Sequence, residues 1–248
     1  MGFSRLKKVI KSITPIKIQK IFADEAILKE KSKYTFANLS YSQEGEDMIL
    51  NRIFENQKNG FYVDVGALHP KRFSNTYLFY KKGWRGINID AMPGSMIEFN
   101  RLRPEDVNLE IGVSRRKGEL IYYIFNEPAL NTFSEELALK RNGIGNYMLK
   151  EKIKIQTLPL VEILREHYDR KEKIDFMTID VEGLDLEVLE SNDWNRFRPK
   201  VILVEELDQL SIIDIQERSE VYKFLVLNGF ELVSKSKNTL FFKDSRND

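Results

Sequence analysis

The segment GFYVDVGALHP, residues 60–70, decides the fold. Phe61–Val65 is an apolar run that one acid, Asp64, interrupts, and the run stops at Gly66. Such a run is typical of a buried strand, and a glycine directly after it allows a tight turn in which backbone amides approach a ligand. The segment therefore predicts a strand whose carboxyl end lies at a binding site for a small molecule.

Strands and helices alternate along the rest of the chain. Two runs, KIDFMTIDVEG (173–183) and PKVILVEEL (199–207), are almost continuously apolar, which is typical of strands buried on both faces of a parallel sheet. The segment GFELVSKSKNTLFFKD (229–244) predicts two strands joined by a tight polar turn, and so an antiparallel hairpin. We therefore predict an α/β fold, with a mainly parallel sheet, a C-terminal antiparallel hairpin and helices on both faces.

The composition excludes several classes of function. Of 248 residues, 42% are hydrophobic and 31% are charged, and the net charge of +1 gives no general attraction to nucleic acid. The absence of cysteine excludes disulfides, thiol catalysis and thiolate metal sites, and two histidines are too few for a zinc site built on several of them. A metal would be oxygen-bound, as magnesium, calcium or manganese prefer. We predict no nucleic-acid partner, and the sequence leaves the oligomeric state open.

Residues 1–22 form a basic segment that differs from the rest of the chain. They contain six lysines and arginines, no acid, and apolar residues at helical spacing up to Pro15. The pattern predicts a basic, partly amphipathic N-terminal extension, 1–39, that touches an anionic membrane surface through residues 1–22, followed by one domain, 40–248. A helix packed on the domain and a disordered tail are the alternatives. With no cysteine, the predicted location is the cytoplasm, at the inner face of the membrane.

Acidic residues gather at the predicted carboxyl ends of the strands, where open α/β sheets bind ligands. Asp90 ends the predicted strand RGINIDA (85–91), 24 residues after Gly66. Dinucleotide folds place an acid at about that spacing, near 20 residues, to accept the hydroxyls of a ribose. Because GALHPK contains one glycine where a pyrophosphate loop needs three, a nucleoside without a pyrophosphate fits better than a nicotinamide dinucleotide. A plain strand-to-helix turn is the alternative.

Two later strands end in pairs of acids. Asp180 and Glu182 lie on one face, because strand side chains repeat with a period of two. Glu205 and Glu206 point to opposite faces for the same reason, unless the strand ends first. Carboxylates that converge from neighbouring strands predict an oxygen-donor site for Mg²⁺.

Six segments, in this order, resemble the FkbM-type methyltransferases: YSQEGEDMIL, YVDVGALHPKRFSNTYLFYKKGWRGINIDAMP, NLEIGVS, NTFS, IDFMTIDVEGLDLEVLESNDW and RPKVILVEEL. The resemblance covers about residues 40–207. It implies a Rossmann-like class I methyltransferase fold with a seven-stranded sheet, S-adenosyl-L-methionine as the cofactor, and O-methylation of an alcohol on a sugar, polysaccharide or polyketide. Many members have Gly-Ala-Asn after the first strand, where this chain has Gly66, Ala67 and Leu68.

The resemblance also implies which residues contact the cofactor and the acceptor. The loop after the first strand would line the methionine end of the cofactor, the acid after the second strand would hold the ribose, and the third strand would lie near the adenine. The predicted cofactor-binding residues are Asp64, Gly66, Ala67, Asp90, Ala91, Asn108, Gly112 and Asp180. Asn131 and Thr132 are predicted to contact the acceptor, although both are also common turn formers.

Methyl transfer to an alcohol needs an aligned oxygen and a group that removes or masks its proton. Glu182, Asp180 and His69 are the predicted catalytic residues, with Glu182 or His69 as the base. Asp180, Glu205 and Glu206 are the predicted Mg²⁺ ligands. His69 can equally cap a turn, and Glu182 can equally be an acid that the dipole of the following helix favours.

The predicted function is S-adenosylmethionine-dependent O-methylation of a sugar hydroxyl, in polysaccharide or glycolipid biosynthesis, with a sugar or glycan acceptor as the partner. One alternative is an NAD-dependent oxidoreductase, against which the missing glycines argue. The other is a non-catalytic nucleoside-binding module, against which the acids after the later strands argue.

Overall fold

The computed structural model describes residues 38–169, 173–208 and 210–246. Almost all of the predicted extension, 1–39, lies outside these ranges, so its amphipathic helix and its membrane contact stay predictions. The cytoplasmic location also stays a prediction. None of the helices in the described ranges has the length and the apolar character needed to cross a bilayer.

The described part of the chain alternates strands with short helices. The strands are β1 (Phe61–Val65), β2 (Arg85–Asp90), β3 (Val107–Glu110), β4 (Gly112–Val113), β5 (Gly118–Phe125), β6 (Leu149–Leu158), β7 (Ile174–Ile179), β8 (Val201–Glu205), β9 (Phe230–Lys235) and β10 (Thr239–Asp244). The α-helices are α1 (Glu46–Ile53), α2 (Tyr77–Lys81), α3 (Ser95–Leu102), α4 (Glu135–Arg141), α5 (Leu160–His167), α6 (Asp185–Glu190), α7 (Ile212–Arg218) and α8 (Glu220–Leu227).

The central sheet has seven strands in the order β3-β2-β1-β7-β8-β10-β9. Neighbouring strands run parallel except at β10, which is antiparallel to both β8 and β9. The prediction of a mainly parallel seven-stranded sheet with a C-terminal antiparallel hairpin is therefore confirmed. The strand order reverses between β1 and β7, and open sheets bind ligands at such a switch point.

Each face of the sheet packs in its own apolar cluster, because successive side chains of a strand point to opposite faces. Val63 and Val65 of β1 belong to a cluster with residues of α5, α6 and α8, whereas Tyr62 belongs to a cluster with residues of α1 and α2. All six residues of β7 are buried, as its continuous apolar run predicts. The prediction of helices on both faces is confirmed.

A smaller sheet, in the order β4-β6-β5, is inserted in the sequence between β3 and β7. Its long strands β5 and β6 pair antiparallel. The turn and helix between them, together with β5, supply part of the wall of the cavity described below.

The pairing register aligns the carboxyl ends of four strands of the central sheet. Val65 pairs with Ile89 on one side and with Ile179 on the other, and Ile179 pairs with Val204. The residues that come next along each strand therefore form one row across the sheet: Gly66, Asp90, Asp180 and Glu205. Because neighbouring strands lie about 4.8 Å apart, the row extends about 14 Å from β2 to β8.

Candidate active site

A cavity of about 390 Å³ opens at the carboxyl ends of β1, β2, β7 and β8, and all four residues of the row line it. This volume is in the range of small-molecule and cofactor sites. The sequence predicts a ligand at this edge of the sheet, and the structure has a cavity there.

Gly66 lets β1 turn against β7. Its φ is +85°, and a Cβ at this position would lie 1.8 Å from the carbonyl oxygen of Asp180. Both the conformation and the close approach require glycine. The amides of Gly66 and Ala67 donate to the carbonyl of Ile89, so the turn is fixed onto β2.

Asp90 lies at the β2 end of the cavity. Its Oδ1 accepts a hydrogen bond from the Met92 amide and its Oδ2 accepts one from the Leu68 amide, both at 2.8 Å. Each carboxylate oxygen can accept a second bond, so both remain able to bind hydroxyl groups. Burial raises the pKa of Asp90 above its ordinary value. Ala91, the next residue, also lines the cavity.

Four predicted cofactor-binding residues do not line the cavity. Asp64 accepts a hydrogen bond from Thr76 two residues before the row, and Ala67 packs in a cluster with residues of α3. Asn108 is bonded to Asn88 and lines a separate groove. Gly112 is packed so that a Cβ would meet Phe133 and Thr157 at 2.8 Å. The sequence pattern identifies where a strand ends, but these side chains are directed by packing that the pattern does not contain.

Three acids meet at the β7–β8 end of the cavity. One carboxylate oxygen from each of Asp180, Glu182 and Glu205 lies within 4.8 Å of the others. Oε2 of Glu205 is buried and has no hydrogen-bond partner in the described ranges. Glu206 follows the last residue of β8, lies outside the cluster and accepts a hydrogen bond from Ser219. Of the predicted ligands Asp180, Glu205 and Glu206, the structure brings together the first two with Glu182, and metal binding itself stays a prediction.

A strained turn presents Glu182 to this cluster. Its φ of +55° is unusual for a residue other than glycine. Asp185 holds the turn, because its carboxylate accepts bonds from the Val181 and Gly183 amides at 3.1 Å. Thr132 donates to the Glu182 carbonyl at 2.7 Å, and Arg141 of α4 forms an ion pair with the Glu182 carboxylate. These contacts stabilise a backbone conformation that glutamate rarely adopts.

The three acids have raised pKa values for a common reason. Burial raises the pKa of Glu205, and the charges of Asp180 and Glu182 raise it further. Asp180 is exposed to the cavity. Desolvation by the surrounding protein and the charges of the neighbouring carboxylates nevertheless raise its pKa. Burial raises the pKa of Glu182, although Arg141 opposes the shift. Such a group of carboxylates favours a shared proton or a bound cation.

The remaining predicted site residues are held by bonds within the protein. Nδ1 of His69 accepts hydrogen bonds from the Lys71 and Arg72 amides at 3.0 Å, and His69 does not line the cavity. In this structure His69 therefore caps a turn, as in the alternative to a catalytic role, and the catalytic role stays a prediction. Asn131 lines the cavity, and Thr132 supports Glu182 from outside the lining.

Sequence reasoning missed several residues of the site. Tyr122 is buried in the lining and its ring packs on Phe133, with 4.6 Å between ring centroids. Arg141, Gln43 and Asn238 also line the cavity. Gln43 lies within the segment YSQEGEDMIL that carries the resemblance. No local pattern connects it with Asn238, which lies in the turn between β9 and β10, almost 200 residues later.

The strand order and the row of polar residues at the switch point define a Rossmann-like class I methyltransferase fold. A protein-family model described as a methyltransferase FkbM domain matches residues 64–232. The chain therefore belongs to the FkbM methyltransferase family.

Solved structures of two methyltransferases are distantly similar. Methyltransferase FkbM from Methylobacillus flagellatus is 11% identical, with a TM-score of 0.45, over 75% of this chain; this chain spans 44% of that protein's length. A TehB-like SAM-dependent methyltransferase from Corynebacterium glutamicum is 10% identical, with a TM-score of 0.40, over 91% of this chain and 99% of its own. No curated protein sequence matches this chain significantly.

Proposed function

We propose that this protein is an S-adenosylmethionine-dependent O-methyltransferase that acts on a sugar hydroxyl, in polysaccharide or glycolipid biosynthesis. The observation that carries the proposal is that one cavity, in a member of a methyltransferase family, has Asp90 at one end and a cluster of three acids at the other. A nucleoside bound at the first end would direct its reactive group towards the second.

The cavity lining contains more carboxyl groups than basic side chains, and a bound cationic cofactor would favour their ionised forms. Five acids and two arginines line it. Arg72 pairs with Glu127 and Arg141 pairs with Glu182, so Asp90, Asp180 and Glu205 have no cationic partner in the lining. S-adenosylmethionine supplies, when bound, a positively charged sulfonium and a methyl group activated for transfer.

The β2 end would hold the nucleoside. Asp90 would accept the ribose hydroxyls through the lone pairs that the Leu68 and Met92 amides leave free, with Gly66 and Ala91 beside it. A dinucleotide fits the loop less well. Leu68 has a φ of +52° and Pro70 follows, where a pyrophosphate would need glycine amides.

The acids at the other end would handle the acceptor hydroxyl. Arg141 favours the ionised form of Glu182, so Glu182 is the carboxylate suited to accept the hydroxyl proton near neutral pH. Asp180 and Glu205 would orient the hydroxyl, directly or through a cation. His69 has no part in this proposal, because it lies outside the lining.

The acid cluster also fits Mg²⁺, which prefers hard oxygen ligands. The unpaired, buried Oε2 of Glu205 is the observation in favour of a cation, because a buried carboxylate oxygen without a partner is costly. Asp180 and Glu205 would hold the ion, with the Glu182 carboxylate beside it. When bound, Mg²⁺ would act as a Lewis acid on the acceptor oxygen.

A thermal-shift titration with S-adenosylhomocysteine, beside one with NAD, tests the cofactor. At about 100 times its dissociation constant, a ligand stabilises the folded state by about 2.7 kcal/mol, which raises the melting temperature by roughly 5–10 °C at this size. Asp90→Asn should lose most of this shift, because it loses the ribose contact. Glu98→Gln, the same charge change on the exposed face of α3, should keep it.

A shift with NAD and none with S-adenosylhomocysteine would contradict the proposal. Glu182→Gln should bind S-adenosylhomocysteine normally and transfer methyl groups at least about 100-fold more slowly. An unchanged transfer rate would remove Glu182 as the base.

A further inference from the structure

The residues predicted to contact the acceptor already have partners in the protein. Oδ1 of Asn131 accepts a hydrogen bond from the Phe125 amide at 2.8 Å, and its Nδ2 contacts the sulfur of Met92. The Thr132 hydroxyl donates to the Glu182 carbonyl at 2.7 Å. Better candidates to bind an acceptor are therefore polar groups elsewhere in the lining that have no partner within the described parts of the chain.

Asn238 is such a group. It lies in the turn between β9 and β10 and lines the cavity. Its amide donates to the Glu44 carboxylate at 3.1 Å, and its carbonyl accepts a bond from the Glu206 amide at 2.7 Å. Its side-chain Oδ1 is buried and has no hydrogen-bond partner in the described parts of the chain. The backbone of Asn238 is thus fixed, and its side chain keeps an unsatisfied polar group, which is unusual in a folded protein.

Gln43 lines the same part of the cavity. It immediately precedes Glu44, whose carboxylate holds the Asn238 amide. The Ser236 hydroxyl donates to Glu46 at 3.0 Å and adds a second bond between the two segments. Gln43 is exposed and lines the cavity, so its side-chain amide is accessible to a ligand.

The side chains of Gln43 and Asn238 lie beyond the end of the row at which Asp180 and Glu205 stand. Thr239, the neighbour of Asn238, pairs with Glu205 across β8 and β10. β10 is four strands from β2, which carries Asp90, so the distance along the sheet is about 19 Å. A nucleoside held at Asp90 leaves this end of the cavity for the second substrate.

We infer that Gln43 and Asn238 form a subsite that binds the hydroxyl groups of a neutral sugar. The inference rests on the proposed function and adds the recognition of the acceptor to it. A carboxamide carries both a donor and an acceptor, which matches hydroxyl groups that donate and accept. Both carboxamides are uncharged, and the two arginines of the lining are paired with Glu127 and Glu182, so the subsite offers no cationic partner to an anionic sugar.

Saturation-transfer NMR tests the subsite. The probes are the methyl glycosides of glucose, galactose and rhamnose, with glucuronate as the anionic comparison, each added to the protein with S-adenosylhomocysteine. At least one neutral glycoside should bind more tightly than glucuronate. Asn238→Leu and Gln43→Leu should each weaken its binding about tenfold, the usual effect of losing a hydrogen bond in a binding site. Asn195→Leu, an exposed asparagine outside the cavity, should leave it unchanged.

The affinity for S-adenosylhomocysteine is measured separately on every variant, which also shows that each variant is folded. Unchanged sugar binding in Asn238→Leu and Gln43→Leu would overturn the subsite. So would glucuronate binding as tightly as the neutral glycosides, or no binding of any neutral glycoside to protein that binds S-adenosylhomocysteine. Protein that fails to bind S-adenosylhomocysteine would contradict the proposed function instead.

Discussion

At the scale of single residues, Asp64 lies outside the cavity lining and is held by a hydrogen bond within the protein. It lies on the same face of β1 as Gly66 but two residues deeper, where the Thr76 hydroxyl donates to its Oδ2 at 2.7 Å. The fully buried Arg103 donates to Thr76 at 2.8 Å, so the acid and the guanidinium are joined through one hydroxyl. Burial nevertheless raises the pKa of Asp64 to about 6.

This shift predicts how stability depends on pH. A carboxyl group whose pKa is raised on folding favours the folded state in its protonated form, so its contribution is present below about pH 4 and is lost as the pH rises through about 6. Asp64→Asn removes this titration. The unfolding free energy of the wild type should therefore fall relative to Asp64→Asn by about 2 kcal/mol between pH 4 and pH 7.

Chemical denaturation of both proteins at several pH values measures this difference. A difference in unfolding free energy that stays constant between pH 4 and pH 7 would show that Asp64 does not titrate in this range.

At the scale of elements, the turn at 181–183 and helix α4 support each other. Arg141 at the end of α4 pairs with Glu182, and Leu137 of α4 packs over Gly183. A Cβ at Gly183 would lie 2.4 Å from Cδ1 of Leu137, and the φ of Gly183 is +98°. The position of α4 and that of the proposed base thus depend on one glycine.

Gly183→Ala tests this dependence against Gly83→Ala. Both glycines have a φ of +98°, but the nearest atom to a Cβ at Gly83 lies 4.0 Å away. Backbone strain should cost each variant about 1–2 kcal/mol of unfolding free energy. Only Gly183→Ala should displace Leu137, and so only this variant should exchange the amide hydrogens of α4 faster. Equal exchange in α4 of both variants would mean that Gly183 does not position the helix.

The elements were predictable from the sequence to a greater extent than the site. Continuous apolar runs indicated β7 and β8, and the polar turn between two β-rich segments indicated the hairpin, because burial on both faces leaves a direct trace in composition. The acids at strand ends were also predictable, because they follow directly on these apolar runs. The cap made by His69, the φ of Glu182 and the pairing of Arg141 with Glu182 depend on contacts between distant segments, which no local pattern encodes.

At the scale of the whole molecule, the charge is nearly balanced but unevenly placed. The chain has a net charge of +1, whereas the cavity contains more acids than arginines. An ion that binds the acid cluster in the folded state alone stabilises the whole protein by linkage. The same carboxylates bind protons, so the ion and protons compete.

Mg²⁺ should therefore stabilise the protein more at pH 8 than at pH 6, because the raised pKa values of Asp180, Glu182 and Glu205 let protons displace the ion. At pH 8, about 100 times its dissociation constant should add about 2.7 kcal/mol to the unfolding free energy. Glu205→Gln should lose this gain. Glu206→Gln, the same change at the adjacent residue, should keep this gain in stability, because Glu206 lies outside the cluster.

Thermal unfolding with Mg²⁺ and with EDTA measures the effect in each variant. If Mg²⁺ stabilises Glu205→Gln and Glu206→Gln equally, the acid cluster does not bind the ion.

The proposed acceptor subsite is held by the hydrogen bonds between the segment around Glu44 and the turn at Asn238, and its position predicts that acceptor choice is separable from cofactor binding. These two residues are 194 positions apart, and neither belongs to β1 or β2, which carry Gly66 and Asp90. A new acceptor specificity could therefore evolve, or be engineered, by exchanging two short surface segments while the strands that meet the nucleoside stay unchanged. The two segments would have to be exchanged as a pair, because each supplies hydrogen bonds that fix the other.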